Sequence, residues 1–434
     1  MDLTIEKLIY GGDGLARLPA DDHGRGKAVF IPFVLEGERI DARITEQKPG
    51  FARAQAEKIL RSSPSRVEPR CPYFLRCGGC HYQHAAYEHQ LQTKAVILKE
   101  NLARISRLEL DTPLQVHASP PWNYRNRTRL QIRAEREFVL GYYRHNSHTV
   151  LPVEECPISS PLINRAIAGI WKLGREEKIA AEVREIELFG DAADQRLLIE
   201  VYFNADWPEK RFSALADALR SEMPYVVGVA AFRIPASLHA SGAPPAPEFI
   251  AAERHITYQT QTDSYRVSAG AFFQTNRQMM DELVSAVTSN ISGNTALDLY
   301  AGVGLFASVL KRNFDRVIAV ESSPLSFSDL QYNSPANVKS VQAATEQYLE
   351  RSKTRADLVV VDPPRGGLGK SVTAKLAQLG ASRLTYVSCD PATLARDLLI
   401  LKDAGYRIEQ AHLLDLFPQT FHIETVLRLV KAAG

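Results

Sequence analysis

The chain has 434 residues, enough for about three domains at roughly 150 residues each. Its hydrophobic content of 45% excludes a globally disordered chain, and the net charge of +2 favours no particular class of partner. The first residues lack the basic-then-apolar order of a signal peptide, and no apolar run approaches the ~20 residues that span a bilayer. We therefore expect a cytoplasmic protein without membrane contact, whose five cysteines do not form disulfides.

Residues 1–60 predict a small OB-like β-barrel, because short apolar alternations are separated by glycine turns. Residues 61–257 predict a mixed α+β central domain. They begin with a cysteine-rich segment and a helical pattern at about 87–106, a helix that could pack on the following domain. Residues 258–434 alternate nearly continuous apolar strands with helices, which favours a Rossmann-like α/β domain with a parallel sheet.

A predicted strand at 296–300 ends in a glycine turn and leads into a helix. Gly302 and Gly304 let the backbone approach a ligand closely, and Glu321, at the end of the next strand, can accept hydrogen bonds from ribose hydroxyls. Ala307 occupies the third glycine position of the pyrophosphate-binding pattern. The site therefore favours S-adenosylmethionine, which carries no phosphate, over other nucleotides and over a tight turn without a ligand.

Two further strands deliver reactive groups to the same edge, where an open α/β sheet binds its ligands. Asp362 follows a strand and precedes two prolines and Arg365, and the next strand ends at Cys389. A free cysteine is usually a small buried apolar residue, but a thiol at this edge is a candidate nucleophile. Glu424 lies at the mouth of the last strand, where a surface carboxylate is the simpler interpretation.

These groups suit methylation of a pyrimidine at C5, which is by itself a poor carbon nucleophile. A thiolate added at C6 converts the ring to an enolate, and C5 can then take a methyl group from a sulfonium. A base must afterwards remove the C5 proton so that the thiol can leave. A depressed pKa of the cysteine would favour the first step.

The same stretches resemble the RNA uracil-C5 methyltransferase family, which forms 5-methyluridine. The matching segments are residues 272–276, 298–304, 362–368, 387–391 and 417–424. The resemblance implies that Cys389 is the nucleophile and that Glu424 removes the C5 proton. Besides the two glycines, it implies cofactor contacts from Gln274, Tyr300, Leu305, Glu321 and Asp362.

The other four cysteines, Cys71, Cys77, Cys80 and Cys156, form a three-plus-one pattern. Four thiolates can hold zinc or an iron–sulfur cube, and the spacing by itself leaves both open. The pattern resembles the large-subunit ribosomal RNA branch of the family, which implies metal ligation by these four residues, a 4Fe–4S cluster and a structural role in the central domain.

Residues 58–136 contain 14 Lys or Arg and six Asp or Glu, which favours RNA contact over a merely solvated basic strand. Arginines at alternate positions can share one strand face beside aromatic rings that stack on bases. The candidates are Trp122, Tyr124, Arg125, Arg127, Arg129 and Arg133. Residues 1–57 resemble the RNA-binding TRAM domain, although their eight basic and ten acidic residues give no electrostatic support.

The main hypothesis is therefore S-adenosylmethionine-dependent methylation of a specific uridine in RNA. The barrel and the cysteines resemble the branch that acts on 23S rRNA, and a tRNA substrate is the alternative. A second hypothesis, from another class of protein, is a non-catalytic iron–sulfur factor for RNA binding or assembly, which would not need Cys389 or Glu424. A third, amine-directed methylation, is disfavoured because Arg365 stands where such enzymes carry an aromatic residue. We expect a monomer.

Overall fold

The computed structural model of the protein describes residues 1–19, 26–134, 137–204, 206–234 and 246–432. In these ranges no helix is long and apolar enough to cross a membrane. The first sheet is built by β1 (Asp2–Thr4), β2 (Lys7–Leu8), β3 (Asp13–Arg17), β4 (Ala28–Pro32), β5 (Arg39–Gln47) and β6 (Phe51–Arg61). Their order is β1-β5-β6-β4-β3-β2, and alternate residues such as Val29 and Ile31 face the core.

The next segment carries three cysteines and then α1 (Tyr87–Asn101), a π-helical turn (Leu102–Ser106) and β7 (Leu114–His117). Ile97, Leu98 and Leu102 pack in the core of the C-terminal sheet, and β7 is an edge strand of that sheet. The sequence predicts that a helix at about 87–106 could pack on the following domain, and α1 packs there in the structure. The sequence analysis does not predict β7, because a four-residue strand is too short for its period to show.

The central sheet has the order β10-β9-β8-β11-β12-β13-β14 within the described residues. Its strands are β8 (Arg127–Arg133), β9 (Val139–Tyr143), β10 (Val150–Pro152), β11 (Val183–Gly190), β12 (Leu197–Phe203), β13 (Val226–Arg233) and β14 (Phe249–Ala252). Helices α2 (Pro161–Arg175) and α3 (Glu209–Glu222) share one core with it. Ser160 begins α2 by accepting a hydrogen bond from the Ile163 N–H, ahead of Pro161 at the first helical position.

A hairpin of β15 (His255–Gln259) and β16 (Ser264–Ser268) leads into the C-terminal sheet. The remaining strands are β17 (Gly293–Leu299), β18 (Phe314–Glu321), β19 (Val338–Gln342), β20 (Leu358–Val361), β21 (Arg383–Ser388), β22 (Tyr406–Leu414) and β23 (Glu424–Lys431). The helices are α4 (Met280–Thr288), α5 (Ala307–Leu310), α6 (Pro324–Asn333), α7 (Thr345–Arg351), α8 (Gly369–Leu379) and α9 (Pro391–Asp403). The strand order is β19-β18-β17-β20-β21-β23-β22-β7.

Both faces of this sheet are covered, as the continuous apolar runs predict. Ala296 and Val360 face one core, while the neighbouring Leu297 and Val361 face the other. All strand pairs are parallel except those of β23, which runs antiparallel to β21 and β22. Because of that reversal, β23 begins at the edge where the parallel strands end.

Candidate active site and cysteine cavity

Cys389 and Glu424 stand opposite each other at the carboxyl edge of the sheet. Ser388, the last residue of β21, pairs with Thr425 of β23, so the next pair outward is Cys389 with Glu424. Directly opposed residues in an antiparallel pair have Cα atoms about 4.5–5.5 Å apart. The fold therefore brings the predicted nucleophile and the predicted base, 35 positions apart in the chain, to neighbouring positions.

The backbone turn around Cys389 is fixed by its neighbour. Asp390 caps α9, because its carboxylate accepts hydrogen bonds from the N–H groups of Ala392 and Thr393 at 3.0 and 2.9 Å. Burial raises the pKa of the Cys389 thiol to about 12, and the nearby Glu424 and Asp362 raise it further while Arg365 opposes them. The depressed pKa that would favour nucleophilic attack is therefore not a property of the protein without its ligands.

Two buried carboxyl groups, Asp298 and Glu424, and the half-buried Asp362 lie near this edge of the sheet. Burial raises the pKa of Asp298 to about 8 and that of Asp362 to about 7. Burial, followed by the charge of Asp362, raises the pKa of Glu424 well above its usual value. Acids in such surroundings ionise readily only when a cation lies beside them. The edge is therefore suited to a positively charged ligand such as a sulfonium.

The glycine turn after β17 has the backbone geometry expected of a nucleoside site. Tyr300, Gly302 and Gly304 have positive φ angles of 61°, 55° and 95°. A Cβ on Gly302 would meet no atom within 4 Å, whereas one on Gly304 would lie 2.9 Å from the Leu330 side chain. The turn thus packs tightly against α6 on one side and leaves open space on the other.

Glu321 ties this turn to the end of β18. Its carboxylate accepts hydrogen bonds from the N–H groups of Gly302 at 2.9 Å and Ser323 at 2.6 Å. Each carboxylate oxygen can accept a second bond, so capacity for ribose hydroxyls remains. Leu305 lies at the start of the following helical turn and is 7% exposed. The Gln274 amide donates to Asp362 at 3.5 Å, which joins residues 272–276 to this edge.

Sequence reasoning missed one aromatic residue at the site, Tyr10. The Tyr10 hydroxyl of the N-terminal sheet donates to the Cys389 backbone oxygen at 3.3 Å, and its ring meets Phe421 edge-on at 5.5 Å. The Gly11–Gly12 pair beside Tyr10 is a signal of close approach, because a Cβ on Gly12 would lie 3.1 Å from His81. Phe272, two residues before Gln274, is 64% exposed.

The four remaining cysteines line one cavity of about 60 Å³. Burial raises the pKa of Cys71, Cys77 and Cys80, that of Cys77 to about 11, and Cys156 raises each of the three further. Among the residues that the structure describes, no three His, Cys, Asp or Glu side chains form a group that could hold a single metal ion. The predicted cluster is therefore not shown, although the predicted cysteines share one cavity.

The arginines of β8 share one strand face, but two of them form ion pairs with glutamates of β11 and β12. Arg127 is paired with Glu187 and lies 3.3 Å from Glu200, and Arg129 is paired with Glu187 at 2.6 Å. The Arg129 guanidinium also lies 4.0 Å from the Tyr202 ring centroid. Much of their charge is therefore balanced within the protein.

The other candidates for RNA contact differ in their surroundings. The expectation that Tyr124 stacks on a base does not fit this structure, because its ring is fully buried and its hydroxyl donates to the Pro418 oxygen at 3.0 Å. Arg125 lines the cysteine cavity. Trp122 is half-buried under the Arg70 guanidinium, and Arg133 donates to the Ile132 oxygen.

Two family models match the chain. Residues 86–432 match the model of tRNA (uracil-5-)-methyltransferases, and residues 1–56 match the TRAM domain. The first range includes α1 and β7, which pack with the C-terminal sheet, together with every candidate catalytic and cofactor residue named above.

Full-length relatives are named as RNA methyltransferases of uncharacterised function. One from Aquifex aeolicus is 32% identical over 99% of this chain and 98% of its own length, and one from Streptomyces avermitilis is 32% identical over 100% and 98%. The crystal structure of Pyrococcus abyssi tRNA (uracil-54, C5)-methyltransferase with S-adenosyl-L-homocysteine is 26% identical, covers 99% of this chain and 100% of its own, and has a TM-score of 0.76. The chain therefore belongs to the tRNA (uracil-5-)-methyltransferase family, as an S-adenosylmethionine-dependent RNA uracil-5-methyltransferase with an N-terminal TRAM domain.

Proposed function

We propose that the chain methylates C5 of one specific uridine in 23S rRNA, with Cys389 as the nucleophile and Glu424 as the base. The observation that carries this proposal is the register of β21 and β23, which sets Cys389 opposite Glu424 near Asp362. A thiol and a carboxylate at one edge are what addition at C6 and proton removal at C5 require.

The residues act in a fixed order. Cys389 loses its proton to solvent and its sulfur bonds to C6 of the uracil, so that the ring electrons move toward C5 and O4. S-Adenosylmethionine, when bound, supplies the methyl group on a cationic sulfonium that C5 can attack. Glu424 then removes the C5 proton, the C5–C6 double bond re-forms, and the Cys389 sulfur leaves. Arg365, the cation that opposes the raised pKa of Cys389, assists the first step.

We expect Cys389→Ala to abolish methyl transfer and Glu424→Gln to trap the reaction half-way. Without its base, the Glu424→Gln enzyme should lose roughly 10²–10⁴-fold in turnover. It should accumulate a methylated covalent protein–RNA adduct, because the sulfur cannot leave while the C5 proton remains. A denaturing gel with labelled RNA, followed by mass spectrometry of the adduct, measures both effects.

Glu409→Gln is the matched control, since Glu409 is an exposed carboxylate on β22. It should turn over like the unmodified enzyme and leave no adduct. Full activity of Cys389→Ala would refute the nucleophile assignment. A Glu424→Gln enzyme that is slow but leaves no adduct would refute the assignment of the base.

The cofactor should draw its electrostatic binding energy from the buried acids. The pKa of Asp362 is raised to about 7 by burial, so near pH 7 this group is only partly ionised in the free enzyme. A bound sulfonium favours the carboxylate, so binding should release protons, and the affinity should fall as the pH drops below 7. S-Adenosylhomocysteine has the same adenosine and amino-acid parts but no sulfonium charge.

We therefore expect S-adenosylmethionine to release more protons at pH 7 than S-adenosylhomocysteine does. Titration calorimetry in buffers of different ionisation enthalpy measures the number released by each ligand. The difference should shrink in Asp362→Asn, because that side chain cannot ionise. Equal release by the two ligands would show that the acids do not sense the sulfonium.

We further propose that Cys71, Cys77, Cys80 and Cys156 hold a 4Fe–4S cluster with a structural role. Their common cavity is also lined by Arg125, whose buried Nε has no hydrogen-bond partner among the described residues. An unpaired cationic donor beside four thiols fits an anionic group such as a thiolate-bound cluster. When bound, the cluster supplies a cross-link between the segment 71–80 and the residue before Pro157.

Anaerobically purified protein should contain about four iron atoms per chain and absorb broadly in the visible range. Cys80→Ala and Cys156→Ala should lose iron because each removes one ligand. Cys389→Ala is the matched control and should keep it, since Cys389 lies at the other site. If elemental analysis finds about one zinc per chain and no iron, the four cysteines hold zinc and not an iron–sulfur cluster.

The choice of 23S rRNA depends on the resemblance of the barrel and the cysteine spacing to the rRNA branch. A tRNA substrate is the second candidate, favoured by the similarity over the whole chain to the Pyrococcus abyssi enzyme, whose name gives uracil-54 of tRNA. The exposed Phe272 offers an aromatic ring to either RNA.

Mapping of 5-methyluridine by mass spectrometry in a deletion strain distinguishes the two RNAs. We expect one 5-methyluridine to disappear from 23S rRNA while tRNA is unchanged, with restoration by the intact gene but not by the Cys389→Ala form. Loss from tRNA alone would transfer the assignment to tRNA. Unchanged 5-methyluridine in both RNAs would contradict the proposed function.

A further inference from the structure

Residues 415–423 form the base loop, which joins β22 to β23 and leads directly into Glu424. Gln419, near its middle, is 3% exposed and has a φ of 69°, in the left-handed region that non-glycine residues seldom adopt. Such a conformation persists only where surrounding contacts hold it. The contacts that hold Gln419 come from parts of the chain more than 300 residues earlier.

The side chain of Gln90, on α1, forms two hydrogen bonds with Gln419. The Gln90 oxygen accepts from the Gln419 backbone N–H at 3.0 Å, and the Gln90 amide nitrogen donates to the Gln419 side-chain oxygen at 3.0 Å. The same nitrogen lies 3.1 and 2.9 Å from the backbone oxygens of Tyr82 and Ala85, so its two N–H groups are shared among three acceptors. Gln90 thus ties the base loop to the end of the cysteine segment, which comprises residues 71–85.

The cysteine segment also holds the loop directly. The backbone N–H groups of His81 and Tyr82, the two residues after Cys80, both donate to the backbone oxygen of Gln419, at 2.9 and 3.0 Å. Tyr124 packs with Cys80 in one buried cluster, and its hydroxyl donates to the Pro418 oxygen at 3.0 Å. Two consecutive carbonyl groups of the base loop are therefore anchored to residues that directly follow Cys80 or precede Arg125, which line the cysteine cavity.

We propose that Gln90 and Tyr124 are positioning residues that hold the base loop against the cysteine segment and thereby set the position of Glu424. The inference rests on the proposed function, because it assigns these contacts to the proton-removal step. Cys389 has a support outside the base loop in the Asp390 cap of α9, so loosening the base loop displaces the base and leaves the nucleophile in place. Formation of the adduct is then spared while its breakdown slows.

The test compares Gln90→Leu and Tyr124→Phe with two matched controls. Gln92→Leu makes the same change at an exposed position of α1, and Tyr406→Phe removes a buried hydroxyl that donates to a distant backbone oxygen, that of Ala381. We expect turnover to fall about tenfold in Gln90→Leu and about threefold in Tyr124→Phe, with the rate of adduct formation unchanged and the steady-state adduct increased. Deuterium at C5 of the uridine should slow both variants more than the unmodified enzyme.

A merely structural role predicts a different result. Partial unfolding would lower adduct formation and turnover by the same factor and would leave the isotope effect unchanged, and that outcome overturns the proposal. Tyr124→Phe keeps the buried ring, so it provides the test even if Gln90→Leu does not fold. If the unmodified enzyme makes neither product nor adduct, the proposed function has failed; if it makes both and the two variants match their controls, only the positioning role has failed.

Discussion

The reversed strand β23 is the constraint on which the site depends. In a fully parallel sheet, a residue at the start of a strand lies at the edge opposite the strand ends. Because β23 runs antiparallel, its first residue, Glu424, reaches the edge where β21 releases Cys389. Side chains alternate along a strand, so a register slip of one residue would replace Glu424 with Ile423 or Thr425. The apolar residues of β23, packed in both cores, make such a slip costly.

Burial governs the chemistry at that edge. The same desolvation that raises the pKa of Asp298, Asp362 and Glu424 also raises the pKa of Cys389 to about 12. Near pH 7 the ligand-free protein therefore keeps the Cys389 thiol protonated and Asp362 only partly ionised. In the proposed mechanism, a cationic cofactor favours ionisation of the acids, and a uracil ring accepts the electrons of the thiol sulfur.

The parts predictable from sequence are those encoded locally. The strand expected at 296–300 coincides closely with β17, because buried parallel strands are short apolar runs. The pairing of Cys389 with Glu424 could be predicted only from the resemblance to the methyltransferase family, because Glu424 by itself would be interpreted as a surface carboxylate. Tyr124 was assigned to RNA because an aromatic residue among arginines gives no sign of burial. The hydrogen bonds of Tyr10 join residues 379 positions apart, which no local pattern encodes.

The long-range contacts explain why the three parts of the chain cannot act as independent modules. Tyr10 of the N-terminal sheet meets the backbone of Cys389, and the cysteine segment meets Gln419 of the base loop. A fully buried ion pair between Lys94 and Asp415, with nitrogen and oxygen 2.6 Å apart, joins α1 to the base loop. Breaking this pair would leave a charge in an apolar interior. The N-terminal region and α1 are therefore packed against the elements that carry Cys389 and lead into Glu424.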